Sequence, residues 1–201
     1  MELVVQLMTG VSLAACTGLR AFLPLLLLGL LARFTDQVHL GRAYQWLASD
    51  PALIVFGAAT VIEVAGDKWP AVDNLLDAVQ AVLRPLAGAL AASAVLAALS
   101  PVAGTVVGAL LGLPVAAQVH LTKAGVRLVS THSTLGLANP VVSVVEDAVS
   151  LAGSVLAAFA PPVAFILALL GLYLACRLSV KVRQKLKALR GAMSRHKPAP
   201  G

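Results

Sequence analysis

Four acidic residues interrupt or abut apolar stretches of this 201-residue chain, and their spacing suggests chemistry. Glu63 and Asp67 stand one helical turn apart, so on a helix they share a face and can converge on one proton or one hard cation. Glu146 and Asp147 are adjacent, which on a helix turns them about 100° apart, so at least one must face the interior of a bundle. A charge deep in lipid costs about 2.5–3.5 kcal/mol on insertion scales. Each acid therefore needs a partner, and all four are candidates for a proton or cation site. A plainer reading of Asp67, Lys68 and Trp69 is a helix end in the headgroup layer.

Cations that could answer these acids are visible. Arg20 interrupts the first apolar stretch, Lys68 follows Asp67, and His120, Lys123 and Arg127 fall at i, i+3 and i+7 on one helical face. That face either lies on the bilayer surface or closes over the acids; it could also receive a phosphate headgroup. Arg84-Pro85 opens a later apolar stretch. Asp73 and Asp77 repeat the i, i+4 spacing and read more simply as a solvated face. Asn139 and Ser133 suit helix caps, and the adjacency of His132 to Ser133 does not supply the geometry of a nucleophile and base. No HExxH, CxxC, Walker or GxSxG pattern occurs, so no cofactor is implied. Gly104, Gly108 and Gly112 form a ridge of small residues for close helix packing, or equally for contact between copies in a homo-oligomer.

The elements that must hold these residues follow from composition. Hydrophobic residues make up 59% and charged residues 12%, with a mean hydropathy of +0.91. That is far from a soluble domain, and it predicts an all-α, polytopic membrane bundle. Six helices are expected. The first apolar stretch, Leu3 to Ala32, exceeds one span, so it is either one tilted helix or two half helices, with Gly18 to Pro24 the expected place of interruption. The others run from about Pro51 to Lys68, Val79 to Leu99, Val102 to Val119, Leu137 to Ala160 and Val163 to Val180. They form one transmembrane domain over 1–180, and 181–201 is a basic tail. Three spans on either side of Ser100-Pro101 would allow two inverted repeats, 1–100 and 101–180.

The formal charge of +6 does not indicate nucleic acid, because eight of the fifteen basic residues lie from Arg177 onward with no acid among them. A basic helix after an apolar span is a cytoplasmic flank drawn to anionic lipid. With an even span count, both termini are expected on the cytoplasmic side of the plasma (inner) membrane. Tyr44 and Trp46 would then be outer interface anchors. Cys16 and Cys176 sit inside apolar runs, as unpaired thiols would.

Several motifs together resemble a family. Thr17-Gly18-Leu19-Arg20-Ala21-Phe22-Leu23-Pro24, Glu63-x-x-x-Asp67-Lys68-x-Pro70-x-x-Asp73, Arg84-Pro85, Lys123-Ala124-Gly125, and Asn139-Pro140 with Ser143 and Glu146-Asp147 are similar to the domain of unknown function 4126 family of small bacterial membrane proteins. That resemblance covers nearly all the chain except the tail and implies a fold without a settled activity. A fainter likeness is to cation/proton exchangers with paired Glu-x-Gly-Asp-Lys-Thr motifs. Here Glu63 to Lys68 carries an extra residue, and Trp69 stands in place of Thr. The leading expectation is a small secondary transporter or permease using Glu63, Asp67, Glu146 and Asp147, with Arg20, Lys68, Lys123 or Arg127 as charge partners. The alternatives are a lipid-phosphate handling protein, either a flippase or an enzyme, and a non-catalytic scaffold. Depth separates them, since a midplane cluster favours ion movement and a cluster at headgroup level favours lipid phosphate.

Overall fold

A computed structural model describes residues 1–66, 70–134 and 139–195, with side chains at 1–66, 79–127 and 141–181. All its regular elements are helices: α1 (Glu2–Leu19), α2 (Leu23–Phe34), a 3-10 turn (Arg42–Ala48), α3 (Asp50–Gly66), α4 (Pro70–Ala94), α5 (Pro101–Thr134), α6 (Asn139–Phe159) and α7 (Pro161–Arg195). Their starts follow from local chemistry. Pro101 and Pro161 open α5 and α7, where the missing N–H costs nothing. Ser49 and Ser100 accept hydrogen bonds from the amides of Ala52 and Ala103 at the heads of α3 and α5.

The interruption expected between Gly18 and Pro24 is present. Arg20 leaves the helix with φ −134° and ψ 119°, and Pro24, placed at the start of α2, could not continue α1 without meeting the carbonyl of Arg20. The chain then reverses. Phe22 lies beside Glu63 near the end of α3, whereas Gly29 packs on Leu47 and Leu53 near its beginning, so α2 runs antiparallel to α3.

Small residues set the centre of the bundle. A Cβ at Gly108 would lie 2.3 Å from Ser93 Cα, one at Gly112 would lie 2.2 Å from the Gly88 carbonyl, and one at Gly18 would lie 2.6 Å from Val119 Cβ. Helices α1, α4 and α5 therefore meet backbone to backbone. These contacts also give directions: α4 opposes both α1 and α5, while α1 and α5 run the same way.

Met1 borders one recess with Phe159 and Pro161, so α1 and α7 start at the same end, called upper here. That end also carries the 35–49 connection, held by Gly41 N–H to the Ala94 carbonyl (2.8 Å) and by Tyr44 Oη to Thr105 Oγ1 (2.6 Å). α7 descends from it, which sets the N-terminus and the lower part of α7 at opposite ends of the bundle. The first apolar stretch is a hairpin and contributes two passes of the chain where one span was expected.

Among the described residues, four helical segments are long and apolar enough to cross a bilayer: Glu2–Leu19, Pro101–Arg127, Val141–Phe159 and Pro161–Lys181. The 3-10 turn with α3 makes a fifth if that pair, bent by 63°, is one span. Leu23–Phe34 and Val79–Ala94 are shorter apolar stretches, below the length of a full span. Large apolar side chains such as Ile166, Leu170 and Leu174 point outward along α7, as a membrane protein requires.

Candidate functional site

The break between α1 and α2 lies at the lower part of the bundle, and it gathers most of the chain's described interior charge. Gly18 lets α1 approach α5 closely, which brings the last turn of α1 over Lys123. The carbonyls that end α1 are met there. Cys16 O accepts from Ser150 Oγ (3.2 Å), and Leu19 O accepts from Lys123 Nζ (3.3 Å), a cation at a helix C-terminus.

On the other side of the break an anion faces the head of α2. Glu63, 1% exposed, accepts from the Ala21 amide at Oε1 (3.0 Å) and from the Phe22 amide at Oε2 (3.3 Å). Anionic groups are stabilised at such an end by the dipole and by the amides. Arg84 of α4, fully buried, lies 3.4 Å from Glu63 Oε1, also donates to Gln80 one turn earlier, and reaches His120 Nδ1 (2.9 Å). Because a guanidinium only donates, His120 Nδ1 is the acceptor, which assigns its ring as the neutral tautomer with hydrogen on Nε2.

A second set of ion pairs joins the break to α6. Fully buried Arg20 donates from Nη2 to Ser143 Oγ (2.7 Å) and to the Ser143 carbonyl (3.3 Å), and its Nε lies 2.5 Å from Asp147 Oδ1. Ser143 and Asp147 are one turn apart, so one face of α6 receives Nη2 and Nε of the guanidinium. Glu146, turned away from that face, meets α5: its Oε2 is 2.8 Å from Lys123 Nζ and 3.4 Å from Arg127 Nη2.

Glu63, Glu146 and Asp147 therefore come together with Arg20, Arg84, His120, Lys123 and Arg127 around four residues of backbone. The i, i+3, i+7 face of α5 points inward rather than lying on the surface. Asp67 and Lys68 fall outside the described residues. So do the side chains of Asp73, Asp77 and Asn139, whose positions lie on α4 and α6. Gln80 and the backbone groups of Leu19, Ala21 and Phe22 were not singled out from sequence, although Gln80 sits at i−4 from Arg84. Among the described residues, no group of three His, Cys, Asp or Glu side chains is arranged to hold a metal ion.

The depth of this cluster can be read from its neighbours. Thr122, between His120 and Lys123, bonds the Ala175 carbonyl (3.2 Å) and Ser179 Oγ (2.9 Å) of α7. Those positions are 14 and 18 residues below Pro161, about 21 and 27 Å along the helix. The hydrocarbon core is about 30 Å thick, and the apolar run of α7 gives way there to Arg177 and Lys181. The α5 face of the cluster is thus level with the end of the apolar run of α7, while Glu146 stands 13 residues, about 20 Å along α6, from Phe159 at the upper end.

An apolar cavity of about 680 Å³ rises from this cluster between α1, α5, α6 and α7. Lys123 and Glu146 are its charged lining residues, near its lower end; Leu156 and Ala164 line the upper part, and Gly171 the wall between. No curated protein and no solved structure matches the chain. Residues 7–181 match the model of the family described as a domain of unknown function, DUF4126, and over that span the chain belongs to this family.

Proposed function

We propose that this membrane protein handles a lipid with a charged, phosphate-bearing headgroup, taking the head at the lower end of the bundle and a chain into the cavity above it. The observation that carries this reading is the placement of Lys123 and Glu146, held in a charge network near the foot of an otherwise apolar cavity between helices, level with the point where the apolar run of α7 gives way to Arg177 and Lys181. That position favours a headgroup over a midplane ion site, and within the cluster each described acid already has a cationic partner. The test is reconstitution of the full chain into vesicles, with fluorescent phospholipid accessibility to a membrane-impermeant quencher measured beside proton and cation flux. Lipid movement above that of protein-free vesicles, without cation flux, is expected. Cation flux driven by a pH gradient, with no lipid movement, would return the protein to the permease reading.

That second reading has one observation in its favour. A discontinuous helix with both inner ends engaged by charged groups is the device on which many transporters build a substrate site. Here side chains of the protein fill those ends: Glu63 at α2 and Lys123 at α1.

A further inference from the structure

Resting on the lipid reading, we infer the headgroup class: a phospholipid whose head carries a primary ammonium as well as a phosphate. The cavity runs along α7 from Ala164 to Leu178, about 21 Å of helix, which exceeds one leaflet of a hydrocarbon core about 30 Å thick. It thus has the length and apolar character for one extended acyl chain. The charged lining near its foot is an ion pair, Lys123 with Glu146, and Arg127 is the second cation on the same carboxylate oxygen.

This pair sets the charge that an incoming head must bring. A phosphate that takes Lys123 and Arg127 displaces the Glu146 carboxylate, which is buried and cannot be left without a cation except at large cost. The neighbouring Asp147 is already engaged by Arg20, which also spends donors on Ser143. An ammonium on the same headgroup supplies the missing cation. The exchange then conserves charge: Lys123 and Arg127 pass to phosphate, and Glu146 passes to ammonium. A purely anionic head leaves Glu146 stranded.

The experiment titrates the delipidated full chain in detergent with short-chain phosphatidylethanolamine and phosphatidylglycerol, which share the phosphate and differ in the ammonium, with bound lipid counted by native mass spectrometry. Wild type should bind the ethanolamine lipid about tenfold more tightly, the worth of one charged hydrogen bond. Glu146→Gln should lose that preference and gain affinity for the glycerol lipid. Gly171→Leu offers a second arm, because a Cβ at Gly171 meets nothing within 4 Å and the added side chain fills the cavity without a backbone clash. It should reduce binding of both lipids at least tenfold, while Gly57→Leu, on open space outside the cavity, should not. Equal affinity of wild type for the two lipids, or a preference surviving in both Glu146→Gln and Gly171→Leu, overturns the inference and leaves the lipid reading standing. Wild type that binds neither lipid overturns both.

Discussion

Neutralising Glu63 separates a structural carboxylate from a transporting one. Glu63→Gln preserves shape and would stabilise the protein if the charge stood alone in lipid, because a desolvation cost would vanish. The geometry gives the opposite sign. The two carboxylate oxygens accept from the adjacent amides of Ala21 and Phe22, one each, and Oε1 also faces Arg84. A glutamine has one acceptor oxygen, so its NH₂ must oppose one of those amides and leave a buried donor unsatisfied, costing about 1–3 kcal/mol. Arg84, fully buried, loses Glu63 while keeping Gln80 and His120, and removing one partner of a buried pair costs up to about 3–5 kcal/mol. These penalties overlap, so about 4 kcal/mol is expected. At about 2–4 °C per kcal/mol for a chain of this size, the melting temperature should fall by roughly 10 °C. Melting of purified protein in one detergent, followed by scattering and by helical circular dichroism, measures it. A Glu63→Gln protein that melts within about 2 °C of wild type would show that the pairing contributes nothing, and the account of the α2 head would be wrong.

Three other outcomes follow from the packing and the directions of the helices. Gly108→Ala should cost at least about 2 kcal/mol, because its Cβ would sit 2.3 Å from Ser93 Cα and the α4–α5 crossing must open, whereas Gly57→Ala should be neutral or stabilising; paired melting curves decide it. Arg33→Ala should change stability by less than about 1 kcal/mol, since its ion pair with Asp50 is exposed on both sides (38% and 74%), and a loss large enough to impair expression would contradict this. In a chain freed of Cys16 and Cys176, Gln37→Cys and an N-terminal tag should be reached by impermeant reagents from one face of the membrane and Lys181→Cys from the other. Labelling of all three from one face would refute the α1–α2 hairpin.

What could be read from the sequence, and what could not, divides along physical lines. The break was legible because Gly18, Arg20 and Pro24 each oppose a continuous helix in lipid for a different reason. Its reversal was not, because a broken helix can continue or turn back, and the choice is made by α2 packing on α3 through Gly29. The stripe of His120, Lys123 and Arg127 was legible as one face, and the structure turns it inward onto Glu146 and Arg84. Which acid each cation meets depends on helix register, which periodicity does not encode. The partners of Glu63 were the least visible, since two of them are backbone amides and backbone donors carry no residue signature. The hairpin was hidden for a related reason: a 12-residue return helix reverses the chain without looking like a span.

The same four residues of backbone explain why the charge network and the cavity belong together. Leu19 is tied to α5 through Lys123, Arg20 to α6 through Ser143 and Asp147, and Ala21 and Phe22 to α3 through Glu63, which Arg84 links to α4 and His120. Every helix that frames the break thus holds it through a charged or polar side chain, and hydrogen bonds of that kind have alternative partners where purely apolar contacts would not. Lys123, Glu146 and Leu19 also line the cavity, so a headgroup taking Lys123 would compete with both Glu146 and the Leu19 carbonyl. Occupation of the cavity and the hold on the end of α1 are then one equilibrium, in which a ligand shifts the break by no more than its differential affinity for the held and released forms. A headgroup that satisfies Glu146 as it takes Lys123 lowers the cost of release, and one that does not leaves the break closed.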